Sequence, residues 1–489
     1  MISRNILAAT LTAAAITLAG CHSSSSNDSS PTVNANTEPQ TACTPTTTFS
    51  EAAPPPIEHV FVIVLENKSF EEVYGAASVA EYLRGTVVPT GQLLTQFYGT
   101  SHASTGNYIS MLGGQAPNPA SHGDCAIFAQ WTPFNPVQPV LDFGQANGAG
   151  CLYPNNFPTL VDEMDLHNLI FNTQLSWRGW MEDMELELEG EARANGRPAD
   201  NTCVGPALNE LDGTNGSDTR EQYAARHNPF LFYRSIIGQA ETAEEFQRCD
   251  NNVIDLRVGS PAQQLPGLKV ALQSRATTPN YNLIVPDNCH NAHDSATQCE
   301  GTSGGPGGLL EADRFLNEWV PPIVNSPAFR EAGMLVILFD EANFGQGDPQ
   351  EDYAACCGQE LQGGLKHRGA DPGLNGLLGA GGGRFGAVVL SPFTQAGQEN
   401  DTPYNHYSML RTIENLFGLN KIHFDPTDGV SVQERMAQLR SADAGTRQAA
   451  IDALTPQPDT QPYIGYAGLP PSEGMVAFGG DVYNCQPSQ

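Results

Sequence analysis

Two polar doublets stand at the ends of the most apolar stretches of the chain. Glu66-Asn67 follows Val60–Leu65, and Asp340-Glu341 follows Met334–Phe339. Their carboxylates and carboxamide offer oxygen lone pairs, so Glu66, Asn67, Asp340 and Glu341 form the donor set of a hard divalent cation of unspecified identity. Carboxylates crowded into a low-dielectric crevice repel one another unless they are paired or metal-bound. A third polar cluster, Asp287 through Asp294, includes His290 and His293 and follows Tyr281–Val285 and Pro286. The hydroxyls of Ser104 and Thr105 precede an apolar helical turn, where free N–H groups favour an anion such as phosphate. A hydroxyl beside a metal ion is a better nucleophile. Ser104 and Thr105 are rivals for that role, and an N-cap serine is the plain structural alternative.

Elements must bring these groups together. Short apolar runs at Ile57–Leu65, Leu169–Phe171, Tyr281–Val285, Met334–Phe339 and Phe385–Leu390 suit buried parallel strands. Helical patterns cover Thr159–Leu166, Leu309–Val320 and His406–Phe417, with Pro321 and Pro322 expected to stop the second. Strands alternating with helices predict an α/β fold: a doubly wound, mostly parallel sheet flanked by helices. In such sheets ligands bind at the carboxyl ends of the strands, where the polar clusters fall. Two stretches, 182–220 and 346–383, read as inserted cap loops.

The chain of 489 residues is 40% hydrophobic, enough for one large domain with a sizeable core. Its net charge of −31 and lack of a Lys/Arg cluster argue against nucleic acid as a partner. An acidic surface also repels anionic substrates, unless a bound cation reverses the sign locally.

At the N-terminus, Arg4, the apolar run Ile6–Leu18 and Leu18-Ala19-Gly20-Cys21 have the form of a lipoprotein signal over 1–20, with Cys21 lipidated. Residues 21–56, rich in Ser, Thr, Asn and Pro, read as a tether, so the folded domain is expected over 57–489. His22 after Cys21 directs the expectation to the outer membrane: an exported bacterial lipoprotein touching the membrane only through its lipidated N-terminus. Setting Cys21 aside leaves ten cysteines, an even number that suggests disulfides in an exported chain. Cys289–Cys299 is a plausible local bridge, and adjacent Cys356 and Cys357 are expected to find different partners.

Longer motifs now add to these readings. Glu66-Asn67-Lys68-Ser69-Phe70-Glu71 resembles the E-N-x-S-F-D opening of the bacterial and fungal phosphoesterase family, which includes acid phosphatases and non-haemolytic phospholipases C within the alkaline-phosphatase-like superfamily. His102 through Tyr108 resembles its H-P-S-x-P-N-Y segment, and Pro286 through Asp294 resembles its P-(D/N)-x-x-N-D-x-H-D loop. Further matches are SWRGWMEDM (176–184), YAARHNP (223–229), GGRFGAVVLSP (382–392) and YNHYSMLRTIENLFGL (404–419). The phosphatase branch is the nearer one.

The resemblance implies a metal-dependent hydrolase acting on a small-molecule or lipid phosphoester. It places Glu66, Asn67, Asp340 and Glu341 on the metal and makes Ser104 the nucleophile of a phosphoserine intermediate. His102, His227, His293 and His406 would surround the phosphate or leaving group, Asn107 or nearby N–H groups would hold an equatorial oxygen, and Asp294 would orient His293 or complete a second ionic site. Ala103 and Gly106 stand where the family has prolines, and Glu71 where it has Asp. Phospholipase C is the competing activity, and a non-catalytic surface lipoprotein the competing class.

Overall fold

The computed structural model describes residues 43–184, 203–214, 222–239, 245–261, 263–293, 299, 307–343, 354–358, 360–361, 365–366, 381–456 and 462–487. Its centre is an eight-stranded sheet. In chain order the strands are β1 (His59–Leu65), β2 (Gln92–Leu94), β3 (Trp177–Met181), β4 (Val253–Asp255), β5 (Tyr281–Val285), β6 (Gly333–Phe339), β7 (Ala387–Leu390) and β8 (Gln398–Asn400). They lie side by side in the order β8-β2-β7-β6-β1-β5-β3-β4. Every neighbouring pair is parallel except the two made by β7, which alone runs against the rest. The fold is therefore α/β with a mixed, mostly parallel sheet, as the alternation of patterns predicts.

Central strands covered on both faces must be apolar throughout. All seven residues of β1 and all seven of β6 are buried. Around the sheet lie α1 (Ser104–Gly113), α2 (Leu160–Phe171), α3 (Gly308–Val324) and α4 (His406–Phe417). Asn405 caps α4, its side chain accepting from Ser408 N–H at 3.0 Å, and Gly418 ends it with φ of 69°.

Several expectations need correction. Leu169–Phe171 is the last turn of α2, not a strand. A run of three apolar residues has no readable period, and Asn172 stops the helix in the left-handed region, φ 55°. Helix α3 continues through Pro321 and Pro322 to Val324. The two prolines fall in its last turn, where the Pro321 carbonyl still accepts from Asn325 N–H at 3.0 Å. Residues 177–181, which carried no strand expectation, form β3, and buried Trp180 donates its Nε1–H to Asn282 Oδ1 at 3.1 Å.

The expected tether is also shorter than read. Cys43–Pro45 pairs antiparallel with Cys485–Pro487, and Cys43 is bonded to Cys485. Glu51 accepts from Arg411 Nε at 2.6 Å, so residues 43–56 belong to the folded unit. Cys125–Cys151, Cys203–Cys249 and Cys289–Cys299 also pair. That leaves Cys356 and Cys357, which bond to each other rather than to separate partners. The inserted stretches 182–220 and 346–383 lie largely outside the described residues.

Between α2 and α4 two carboxyls meet in the interior. Glu163 is 1% exposed and Glu414 is fully buried. Burial, then the charge of Glu414, holds Glu163 well above its usual range, and burial pushes Glu414 up to about 8. Both groups bind a proton more tightly folded than unfolded. Their contribution is complete below the ordinary carboxylate range and is lost as pH rises through about 8, at up to about 1.4 kcal/mol per pH unit for one group. Thermal midpoints measured from about pH 5 to about pH 9 should fall for the native protein. The fall should be shallower for Glu163→Gln, which keeps a neutral donor; equal slopes would exclude a shared proton.

Candidate active site

The register of two strands builds the site. Phe339, the last residue of β6, lies opposite Leu65, the last residue of β1. Glu66 and Asp340 are therefore neighbours at the carboxyl edge, both fully buried. The chain turns at once at Asn67, which has φ of 51°. The Asn67 N–H donates to Asp340 Oδ1 at 3.2 Å and the Glu341 N–H to the same oxygen at 2.7 Å. Asp340 Oδ2 is buried with no hydrogen-bond partner among the described residues. Burial, then the charge of Asp340, holds Glu66 well above the carboxylate range, and burial pushes Asp340 up to about 6.

Helix α1 delivers the hydroxyls. Ala103, just before it, has φ of 85°, a conformation costly for a residue with a Cβ. Glu341 holds that turn: its Oε1 accepts from Ala103 N–H at 3.0 Å and its Oε2 meets His102 Nδ1. Glu341, expected on the metal, thus spends both oxygens on the turn before the serine. Ser104 Oγ donates to Glu66 Oε2 at 2.9 Å. One helical turn on, Tyr108 OH donates to Glu66 Oε1 at 2.7 Å. Thr105, the rival, instead donates its hydroxyl to the Arg226 carbonyl at 3.3 Å and its N–H to Asp124 Oδ1 at 3.1 Å.

Asn107 has a different task from the expected one. Its Oδ1 accepts from Thr100 N–H at 2.8 Å and Ser101 N–H at 3.0 Å, and its Nδ2 donates to the Ser101 carbonyl at 2.9 Å. The side chain fastens the loop into α1 instead of facing a substrate oxygen. Gly106 serves close packing: a Cβ there would come within 2.6 Å of Ser101 Oγ.

The histidines divide by environment. His227 Nε2 is buried, lacks a hydrogen-bond partner among the described residues and lies 3.6 Å from Glu66 Oε1. Its ring stacks on Tyr108 at 5.4 Å and lies 6.3 Å from that of His293, which is exposed. Burial, then the charge of Arg226, holds His227 well below its usual pKa. His406, at the start of α4, donates Nε2–H to the Asp340 carbonyl at 2.6 Å, and burial lowers it to about 4. Asp294 and Cys21 lie outside the described residues. Two residues escaped the sequence reading. Tyr108 stands four residues after Ser104, the spacing that shares a helix face. His122 Nδ1 lies 3.3 Å from Ser101 Oγ, and its only sequence signal is proximity to Asp124 and Cys125.

Glu66, Asp340, Ser104 and the turn at Asn67 fit a hard cation. Two buried carboxylates stand side by side, and among the described residues one of their oxygens, Asp340 Oδ2, has no hydrogen-bond partner. Close to the same edge, Glu182, Asp287 and His290 bring one ligand atom each within 4.8 Å of one another. There His290 Nδ1 donates to Glu182 Oε2 at 3.0 Å, and although burial opposes it, hydrogen bonds to Asp287 and Glu182 raise its pKa to about 11. As it stands His290 pairs with both carboxylates, at 3.0 Å from Glu182 and 3.2 Å from Asp287.

Residues 86–420 match the Phosphoesterase family. The chain is 19% identical over 359 residues to an acid phosphatase of Aspergillus fumigatus, covering 73% of this chain and 54% of that protein. It is 18% identical over 410 residues to a probable acid phosphatase of Kluyveromyces lactis, covering 83% and 67%. The chain thus spans little more than half the length of the first relative. A structure described as a protein in the alkaline phosphatase superfamily from Vibrio parahaemolyticus overlaps with a TM-score of 0.37 at 10% identity, covering 78% of this chain and 69% of that one; so loose an overlap carries no weight.

The expected localisation is corrected. The curated relatives are fungal, and the five disulfides among the described residues suit an exported chain. Together they favour an exported, disulfide-bonded protein over a bacterial outer-membrane lipoprotein. The match over residues 86–420 covers well over half of the sequence and includes the serine, the second acidic doublet and the histidines, and the chain belongs to the Phosphoesterase family.

Proposed function

We propose that this protein is a metal-dependent phosphomonoesterase with Ser104 as its nucleophile. One observation carries the reading: the Ser104 hydroxyl lies 2.9 Å from Glu66, beside Asp340 with its orphaned Oδ2. The names of the curated relatives support the substrate class.

Glu66, Asn67 and Asp340 would hold the divalent cation, which when bound neutralises phosphate charge and favours the ionised hydroxyl. The residues of the chain do the rest. Glu66 Oε2 aims the Ser104 oxygen, and the N-terminus of α1 adds free N–H groups for the phosphoryl oxygens. The Ser104 oxygen bonds to phosphorus as the bond to the leaving oxygen breaks. Water then cleaves the phosphoserine, restoring the hydroxyl and releasing phosphate. His406 is neutral and its Nε2–H is committed to a carbonyl, so it positions Asp340 rather than donating a proton. His227 is likewise held neutral by burial. Exposed His293, whose ring lies 6.3 Å from that of His227, would protonate the leaving alkoxide, a contribution of ~10²–10⁴-fold.

Two measurements test this reading. A panel of phosphomonoesters and phosphatidylcholine, run before and after dialysis against a chelator, should show monoester turnover that metal restores. Ser104→Ala should lower kcat at least ~10³-fold. Cleavage of phosphatidylcholine alone would favour a phospholipase C, and full activity in Ser104→Ala would end the proposed role of Ser104. The second concerns the proton. His293→Ala should slow an alkyl phosphate ~10²–10⁴-fold yet barely affect p-nitrophenyl phosphate, whose leaving group needs no proton. Equal losses on both substrates would remove His293 from that role.

A further inference from the structure

We infer that Tyr108 is a positioning residue that fixes Glu66 for cation binding, an inference that rests on the proposed metal-dependent reading. Glu66 is fully buried and has two oxygens to satisfy. Ser104 takes Oε2 at 2.9 Å and Tyr108 takes Oε1 at 2.7 Å. The two donors stand on one face of α1, a single turn apart, so one rigid helix sets both ends of the carboxylate. The hydroxyl of Ser104 must leave Glu66 when it attacks phosphorus. The contact from Tyr108 has no such duty and persists through the reaction.

The tyrosine ring is itself immobilised. It is fully buried and lies almost parallel to the His227 ring, 5.4 Å away with 16° between planes. His227 Nε2 points to the same Glu66 oxygen from 3.6 Å. The stacked pair thus presents a strong hydroxyl donor and a ring nitrogen to Oε1, and the hydroxyl makes the shorter contact. Partners of metal-ligating side chains typically govern metal affinity by 10–100-fold, because they set the orientation of the ligand.

Tyr108→Phe tests this, since phenylalanine keeps the ring and its stacking and removes only the donor. The chelator-stripped full chain is titrated with Mn²⁺, Mg²⁺ and Ca²⁺ by calorimetry, and the far-ultraviolet circular dichroism of each protein is recorded. The expected result is a folded variant whose cation affinity is weaker by ~10–100-fold. At saturating metal it should regain most of its kcat, with KM near the native value. A second variant guards against a folding defect. With Glu66→Gln already present, adding Tyr108→Phe should cost little further affinity, because the two act as one unit. Unchanged affinity in Tyr108→Phe overturns the inference and leaves the metal reading intact. Failure of the native protein to bind any of the three cations overturns both.

Discussion

Everything at the site depends on one register. Parallel pairing of β1 with β6 sets Leu65 against Phe339, so the next residue of each strand is an acid beside an acid. Each buried aliphatic or aromatic side chain in those strands stabilises by ~1.5–3 kcal/mol. A one-residue slip would turn the packed set of either strand to the opposite face. The apolar core thereby holds two carboxylates at a separation they would not choose. Burial raises both pKa values, and the charge of Asp340 raises that of Glu66 further.

Around this pair the second doublet has split its labour. Asp340 keeps an oxygen with no hydrogen-bond partner among the described residues, while Glu341 steadies the strained residue before the serine. Neighbouring residues on an extended chain point to opposite sides, so a doublet at a strand end readily serves two functions. The same economy holds on α1, where Ser104 and Tyr108 meet Glu66 while Asn107 ties the helix to its incoming loop. The surface carries a strong negative charge, and the crevice would draw its attraction for phosphate from the cation and the helix terminus.

The central strands and the residues that end them were legible because a fully buried strand writes an unbroken apolar run. The short outer strands β2, β4 and β8 were not, since three residues show no period. Ser104 and Glu66 stand out by residue type, but their contact joins positions far apart in sequence and follows from strand order. The task of Glu341 was hidden for the same reason: its partners lie 238 and 239 residues away. Cys356–Cys357 was misread because adjacency appeared to forbid a bond that the pairing of every other described cysteine leaves as the remaining one.

The bond between Cys43 and Cys485 spans 442 residues and sits within a short two-stranded ribbon. Nearly the whole folded unit is thereby a covalent ring. A protease that nicks any surface loop between those cysteines opens the ring without releasing a fragment. The severed ends remain tethered through the far side of the molecule, where the sheet can hold them in place. Such closure turns a first cut from a loss of material into a local wound.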